Sequence, residues 1–350
     1  MKVQSAIRNP QSEIGLRVGI VGLGRMGKLH LANLIHMTDR VEAIAACDSR
    51  SGARDEIAAR YAVSVYDDFA TMIKREKPDA VVIATTPPSH PFLIKEAAGR
   101  GIHILCEKPL ALSLQDACQA ADAVARAEVL FQIAFQRRFD QAYRKAHERI
   151  AAGQIGDPIT FKAVARDAGE PSIEFACPEV SGGLLLDMAI HDFDLARWLM
   201  NSEVTRVSSE GSNLLYPKLA GVGDIDNAVV NLTFASGAIG NIEASRTGTY
   251  GYDIRTEIVG TNGAVYIGGI EQSSLVTARR DVFTRDAVSG FEERFHGAYK
   301  RELSAFLDCV IKQRSPEIGI TEGLRSLEIA LAATESLRSR TPVTVVAAGP

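Results

Sequence analysis

Between Leu16 and Gln136 two kinds of segment alternate. Short runs that are apolar almost throughout read as buried strands: LRVGIV (16–21), VEAIAACD (41–48), DAVVIAT (79–85), HILCE (103–107) and LFQIAFQ (130–136). Segments whose apolar residues recur every three or four positions read as helices. They are RMGKLHLANLIHM (25–37), SGARDEIAARYA (51–62), FATMIKREK (69–77), HPFLIKEAAGRG (90–101, closed by glycine) and SLQDACQAADAVARAE (113–128). Strands apolar on both faces and separated by helices predict a parallel, doubly wound sheet covered on both sides.

After RRFDQAYRKAHERIAAGQIG (137–156) the pattern changes. PITFKAVARD (158–167) opens a region of strands joined by short glycine turns: TRVSSEGSNL (205–214), NAVVNLTF (227–234), GAIGNIEASRTGT (237–249), DIRTEIVG (253–260) and GAVYIGG (263–269). The turns ASG and TNG suit hairpins. This half is expected to be an α/β domain with a large, mostly antiparallel sheet and helices on one face. Two late helices, 299–312 and 320–339, are expected to close it. The division expected is a loose leader at 1–14, a first domain at 15–138 and a second at 139–350.

One segment breaks the hydrophobic logic. GGLLLDMAIHDFDLARWLM (182–200) is helical by spacing and apolar over most of its surface, yet Asp187, His191, Asp192 and Asp194 interrupt it. Ionisable side chains are costly to bury unless they are paired. At about 100° per residue, Asp187, His191 and Asp194 share one narrow stripe, with Trp198 one turn on; Asp192 lies roughly 140° from Asp187. The pattern predicts a buried helix with a thin acid–base edge turned to a cavity. Three chemistries fit that edge. His191 can serve as a general base beside a carboxylate. Two carboxylates and an imidazole can bind a metal. A buried network can pair Asp194 with backbone or with an arginine such as Arg197. Asp192 is expected to face solvent or to cap a neighbour.

Composition narrows the classes. A chain of 350 residues, 46% apolar, is long enough for two cores. A net charge of −4, with Lys and Arg scattered, gives no basic stripe for a nucleic acid. The five cysteines are far apart, with no CxxC pair, and read as reduced thiols. The N-terminus lacks an apolar signal region, and no apolar run reaches the roughly 18–20 residues that span a membrane. A soluble cytoplasmic protein is expected.

Two motifs carry candidate chemistry. GIVGLGRMG holds Gly22, Gly24 and Gly27, with Arg25 and Met26 between, where a strand gives way to a helix. Such a loop lets backbone N–H groups approach a pyrophosphate. Asp48 ends the second strand, where a carboxylate can hold a ribose diol and repel a 2′-phosphate. That favours NAD over NADP, although Arg50 nearby could accept the phosphate. The second motif, CEKP, puts Glu107, Lys108 and Pro109 after a buried strand, at the sheet edge where ligands of doubly wound sheets bind. Lys108 either points into that crevice or is an exposed loop lysine, the commoner fate.

Together GLGRMG, CEKP and GGLLLDMAIHDFD resemble the glucose–fructose oxidoreductase / inositol dehydrogenase (Gfo/Idh/MocA) family, from Arg17 to about Val345. QRRFD (136–140), GDIDNAVVNLTF (223–234) and YGYDIRTEIVG (250–260) are most similar to its inositol 2-dehydrogenase branch. The resemblance implies an N-terminal Rossmann domain, a C-terminal α/β domain and a homo-oligomer, often a tetramer through the C-terminal sheets. It implies Lys108, Asp187 and His191 as the catalytic set, and substrate contacts from Tyr252 or Tyr250 and from Tyr299. Thr85, Pro87, His90 and Glu107 are expected to join the glycine loop, Asp48 and Lys108 around the cofactor. The activity implied is NAD-dependent oxidation of a secondary hydroxyl on a small polyhydroxylated ring, with no metal. RDAGEPSIEFACPEVSGG (166–183) departs from the pattern, which leaves the substrate open between inositols and pyranose sugars. A dinucleotide-binding sensor and a metal-dependent hydrolase are the alternatives from other classes.

Overall fold

The computed structural model describes residues 15–271 and 276–347. The expected leader, 1–14, lies outside the described residues. Six parallel strands build the first sheet: β1 (Leu16–Val21), β2 (Val41–Cys47), β3 (Ser64–Tyr66), β4 (Ala80–Ile83), β5 (His103–Glu107) and β6 (Phe131–Ala134). Helices α1 (Arg25–Ile35), α2 (Ser51–Arg60), α3 (Phe69–Glu76), α4 (His90–Ala98) and α5 (Leu114–Ala127) connect them. The strand order is β3-β2-β1-β4-β5-β6, a doubly wound sheet as expected. It reverses between β1 and β4, so a crevice opens at the carboxyl ends of those two strands. β4 is buried at every residue, which is why its sequence shows no alternation.

The second sheet follows α6 (Gln141–Ala151). Its strands are β7 (Pro158–Arg166), β8 (Val204–Ser212), β9 (Asn227–Phe234), β10 (Ile239–Ser245), β11 (Asp253–Gly260), β12 (Gly263–Gly269) and a short β15 (Val343–Thr344). Two one-turn helices, α7 (Ile173–Ala176) and α8 (Pro178–Ser181), precede α9 (Ile190–Met200). A small hairpin of β13 (Thr277–Arg279) and β14 (Val282–Thr284) leads to α10 (Phe291–Arg294), α11 (His296–Lys312) and α12 (Ile320–Ser339). The order is β12-β11-β7-β10-β9-β8-β15. Only β7 and β10 run parallel; the other pairs are antiparallel. β7 and β10 therefore end at the edge where β9 and β11 begin. Asp167, Arg246, Asp224 and Tyr252 flank those four strand ends and so lie along one edge.

Alternation sets the two faces of this sheet. β9 buries Ala228, Val230, Leu232 and Phe234 while Val229 is exposed. Helices α9 and α12 cover the buried face. α11 behaves differently from expectation. Its Leu303, Phe306, Leu307 and Val310 share an apolar cluster with Val18, Ile20, Leu34 and Leu105 of the first half. Of the two late helices, only α12 packs on the second sheet; α11 returns to cover the first.

Candidate active site

The three glycines of the first motif have three separate jobs. Gly22 has φ +90°, and a Cβ there would lie 2.5 Å from the Ala84 carbonyl oxygen. A Cβ on Gly27 would lie 1.8 Å from the Gly22 oxygen, so α1 can seat itself against the loop only because that atom is missing. A Cβ on Gly24 would meet nothing within 4 Å. Its open face is where a pyrophosphate can come close to backbone at the N-terminus of α1, which fits a dinucleotide.

Asp48 stands beside the loop and is already organised. Its Oδ2 accepts the Leu23 N–H at 2.7 Å, and its Oδ1 accepts the Arg50 N–H at 2.9 Å. Arg50 adds Nε to Oδ1 at 3.0 Å and Nη2 to Oδ2 at 2.9 Å. Burial pushes this carboxyl up, but the Arg50 and backbone hydrogen bonds prevail and hold it at about 2. Asp48 is therefore an anion throughout the physiological range. Arg50 stays largely exposed, free to leave when a ribose arrives.

The remaining residues named for the cofactor fall around the same crevice. Arg25 reaches across to the second half, pairing with Glu292 and lying 4.1 Å from the Phe291 ring centroid. Met26 packs against the main core. Thr85 Oγ1 accepts from Ser89 Oγ at 2.6 Å, and Pro87 is buried in the turn between them. His90 is fully buried, its ring between the Pro109 carbonyl (2.8 Å) and the Thr85 carbonyl (3.1 Å), so it ties together the loops that follow β4 and β5. Glu107 meets His30 Nε2 at 2.8 Å.

Lys108 follows β5 and precedes a cis peptide to Pro109. It points inward. Its Nζ donates to the Asp187 carbonyl at 2.5 Å and to Asp187 Oδ1 at 3.0 Å. Arg246 Nη1 donates to Asp187 Oδ2 at 3.4 Å. Burial pushes Asp187 up, but the two cations pull it below the usual carboxylate range. His191 is buried, edge-on to Phe135 at 6.0 Å, and its Nδ1 has no partner. Burial above all, then the charges of Lys108 and Arg137, push its pKa well down. It is a neutral imidazole at pH 7.

The helix that carries these groups is not regular. Leu185–Ala189 form a turn of π-helix. The regular count of residues per turn fails across such a turn, a feature frequent at functional sites. Asp187 thus gives its oxygens to Lys108 and Arg246 rather than to His191. Asp194 does not join the edge either. Both its oxygens accept from Arg138, at 2.7 and 2.6 Å, and Trp198 packs beneath the same guanidinium. This is the buried network expected for Asp194, with Arg138 as the arginine; Arg197, the example suggested by the sequence, pairs instead with Glu203. A metal site built from Asp187, His191 and Asp194 loses its third ligand in this way. The expectation for Asp192 is also corrected. It is 0% exposed and accepts from Arg137 Nη1 at 2.6 Å. The helix is enclosed on that side too, and the one-turn helix Gln136–Phe139 supplies both arginines.

Of the tyrosines, Tyr252 is buried edge-on to Phe295. Tyr299 is buried edge-on to His30 and Phe291. Burial pushes both phenols up, so both stay neutral and able to donate. Tyr250 is 46% exposed, and its hydroxyl accepts from Arg166 and donates to Asp253. Sequence reasoning gave no site role to Arg137, Asp167, Asp224 or Arg246. Asp167 faces Asp187 and Arg246, and burial together with Asp187 pushes its pKa up.

A glycine-loop crevice opening toward a lysine, a carboxylate and a neutral imidazole is the arrangement of a dinucleotide-dependent oxidoreductase. Comparison with known proteins agrees. Residues 16–135 match the family model for an oxidoreductase family with an NAD-binding Rossmann fold. Residues 143–266 match the GFO/IDH/MocA C-terminal domain. The chain belongs to the GFO/IDH/MocA family. Among its relatives, scyllo-inositol 2-dehydrogenase (NAD(+)) of Bacillus subtilis is 37% identical over 94% of this chain and 96% of its own length. Myo-inositol 2-dehydrogenase of Thermotoga maritima is 34% identical over 94% and 98%. Among solved structures, scyllo-inositol dehydrogenase of Lactobacillus casei with bound NAD(H) and scyllo-inositol superposes with a TM-score of 0.90 at 31% identity, covering 95% of this chain and 99% of that one.

Proposed function

We propose that this protein is an NAD-dependent dehydrogenase that oxidises one secondary hydroxyl of an inositol to the corresponding ketone, an inosose. The observation that carries this reading is an inward-pointing Lys108, held by Asp187, whose charge reaches a neutral, buried His191 beside the glycine-loop crevice. The relatives that share the chain over nearly its whole length are named for inositols.

Each side chain then has a task. Gly24 and the N-terminus of α1 receive the pyrophosphate, and Asp48 takes the ribose diol. When bound, NAD accepts the carbinol hydrogen with its two electrons. His191 takes the hydroxyl proton, since it is buried and unprotonated at neutral pH. Lys108 donates to the reacting oxygen and stabilises the negative charge that grows there as the proton leaves. Asp187 holds Lys108 in place and accepts from a neighbouring ring hydroxyl. Tyr252 and Tyr299 line the cavity as neutral donors.

The reading extends to assembly and location. A homotetramer through the uncovered face of the second sheet would bury its exposed Val229, Ile239 and Tyr266. No helix among the described residues is long and apolar enough to cross a membrane. Among the described residues the five cysteines are free thiols, which suits the reducing cytoplasm we assign.

The test is a panel of inositol stereoisomers and aldoses, each with NAD and with NADP, followed by absorbance of the reduced cofactor. Inositols with NAD should react fastest. Tight NAD binding without reduction of the cofactor by any polyol would favour a sensor instead. Cofactor choice has its own test. Asp48→Ser removes the carboxylate and frees Arg50 for a 2′-phosphate. The kcat/KM ratio of NAD to NADP should fall roughly ten- to a hundred-fold, the worth of a hydrogen bond to a charged group. An unchanged ratio would mean that Asp48 does not read the ribose.

A further inference from the structure

The ion pairs of the site do not end at Asp187. Arg246, 2% exposed, donates from Nη1 to Asp187 Oδ2 at 3.4 Å and from Nη2 to Asp224 Oδ2 at 3.2 Å. Asp224 Oδ1 accepts the Leu184 N–H at 2.8 Å, where the site helix begins. The glycine before that bond makes the approach possible. Gly183 has φ +75°, and a Cβ there would lie 2.9 Å from Asp224 Oδ1. Lys108, Asp187, Arg246 and Asp224 thus alternate in sign, in a chain that runs from the end of β5 to the N-terminal turn of the helix bearing His191. All four are half-buried or buried.

A fold does not need such a chain. Apolar residues of similar volume usually serve stability as well or better than a buried ionic network. The chain does something an apolar wall cannot. It gives Asp187's two oxygens different partners, Lys108 from the end of β5 and Arg246 from the end of β10. We infer that Arg246, anchored by Asp224, is a positioning residue: it holds Asp187 by Oδ2, so that Oδ1 is left to Lys108 and the ammonium stays aimed at the reacting oxygen. This inference rests on the dehydrogenase reading above. The charged groups that face Asp187 are Lys108 from the end of β5, Arg246 from the end of β10 and Asp167 from the end of β7. Only Lys108 and Arg246 are cations. Without Arg246, Asp187 protonates at a higher pH and turns from its place.

The experiment uses the full-length protein with Arg246→Met, Arg246→Lys and Asp224→Asn. Arg246→Met should lower kcat for inositol oxidation about 100-fold, the scale of a misplaced catalytic group. NAD affinity should not change, and the acid side of the kcat profile should move to higher pH. Arg246→Lys, which keeps the charge without the two-armed reach, should recover part of the loss. Asp224→Asn keeps the shape and should show the same signs more weakly, so it decides the matter if Arg246→Met does not fold. A crystal structure of Arg246→Met should show the Lys108–Asp187 contact broken or re-formed on the other oxygen. Wild-type kcat with Asp187 unmoved would overturn the inference. So would a fall in kcat matched by an equal fall in NAD affinity and thermal stability, which is what a merely structural role gives. If the wild-type protein oxidises no polyol, the functional reading fails on its own, while the Lys108–Asp187 geometry in the variant still decides this one.

Discussion

Replacing His191 with alanine is expected to lower kcat for polyol oxidation about 100- to 10,000-fold, the usual contribution of a positioned general base. NAD affinity should stay as it is, because His191 touches neither the glycine loop nor Asp48. The wild-type pH profile sharpens the test. Burial and the nearby Lys108 and Arg137 charges push the His191 pKa well below its ordinary value of 6.5. A base must be unprotonated to act, and this one is already so at neutral pH. Oxidation should therefore be nearly flat around pH 7 and fall only in acid, as His191 takes up a proton. The alanine variant should lose that acid limb along with its rate. Near-wild-type turnover would remove the role given to His191.

Lys108→Met is the second large effect. The stem volume is kept and the charge is lost. Removing one electrostatic donor from a reacting oxygen costs about 100- to 1,000-fold in kcat. A second consequence separates this variant from the first. The Lys108 cation is one of the charges that hold the His191 pKa down. Without it the His191 pKa rises, and the acid limb of the residual activity should move to higher pH rather than disappear. Asp187 loses its nearer cation as well and becomes easier to protonate, which shifts the limb in the same direction. A wild-type rate, or a slowed rate with an unmoved acid limb, would mean that Lys108 does not act on the reacting oxygen and the base together.

Much of this arrangement could be read from the chain, because its main elements are defined by burial. β1, β4 and β5 lie between layers of helix, so their sequences are apolar almost throughout and hard to mistake. β3 could not be read: Ser64–Tyr66 is three residues long and only partly buried. The apolar stripe of α11 was legible, but not the sheet it covers, since a stripe does not say which partner it will meet. The glycine loop, Asp48 and Lys108 were legible because the ends of parallel strands converge by topology. In the helix from Leu184 onward the sequence marks Asp187 and His191 as one edge, but not the partners, Lys108 and Arg246, that Asp187 takes. A helical wheel assumes regular turns, and the π-turn at Leu185–Ala189 leaves no mark in the pattern. The wheel turns Asp192 toward solvent, and only the fold shows that Arg137 encloses it. Arg246 and Asp224 were invisible for a similar reason. Each is a single charged residue near a strand end, and only the polarity of the second sheet brings both to Asp187.

The most direct measurement uses an inositol deuterated at every ring carbon, incubated with the protein and NAD. The reduced cofactor should carry one deuterium at C4 of the nicotinamide, with the ring recovered as a ketone. The same reaction with the His191→Ala variant should be slower by orders of magnitude. Reduced cofactor that carries no deuterium, or no reduction of NAD by any inositol, would contradict an oxidation carried out at the Lys108–Asp187–His191 site.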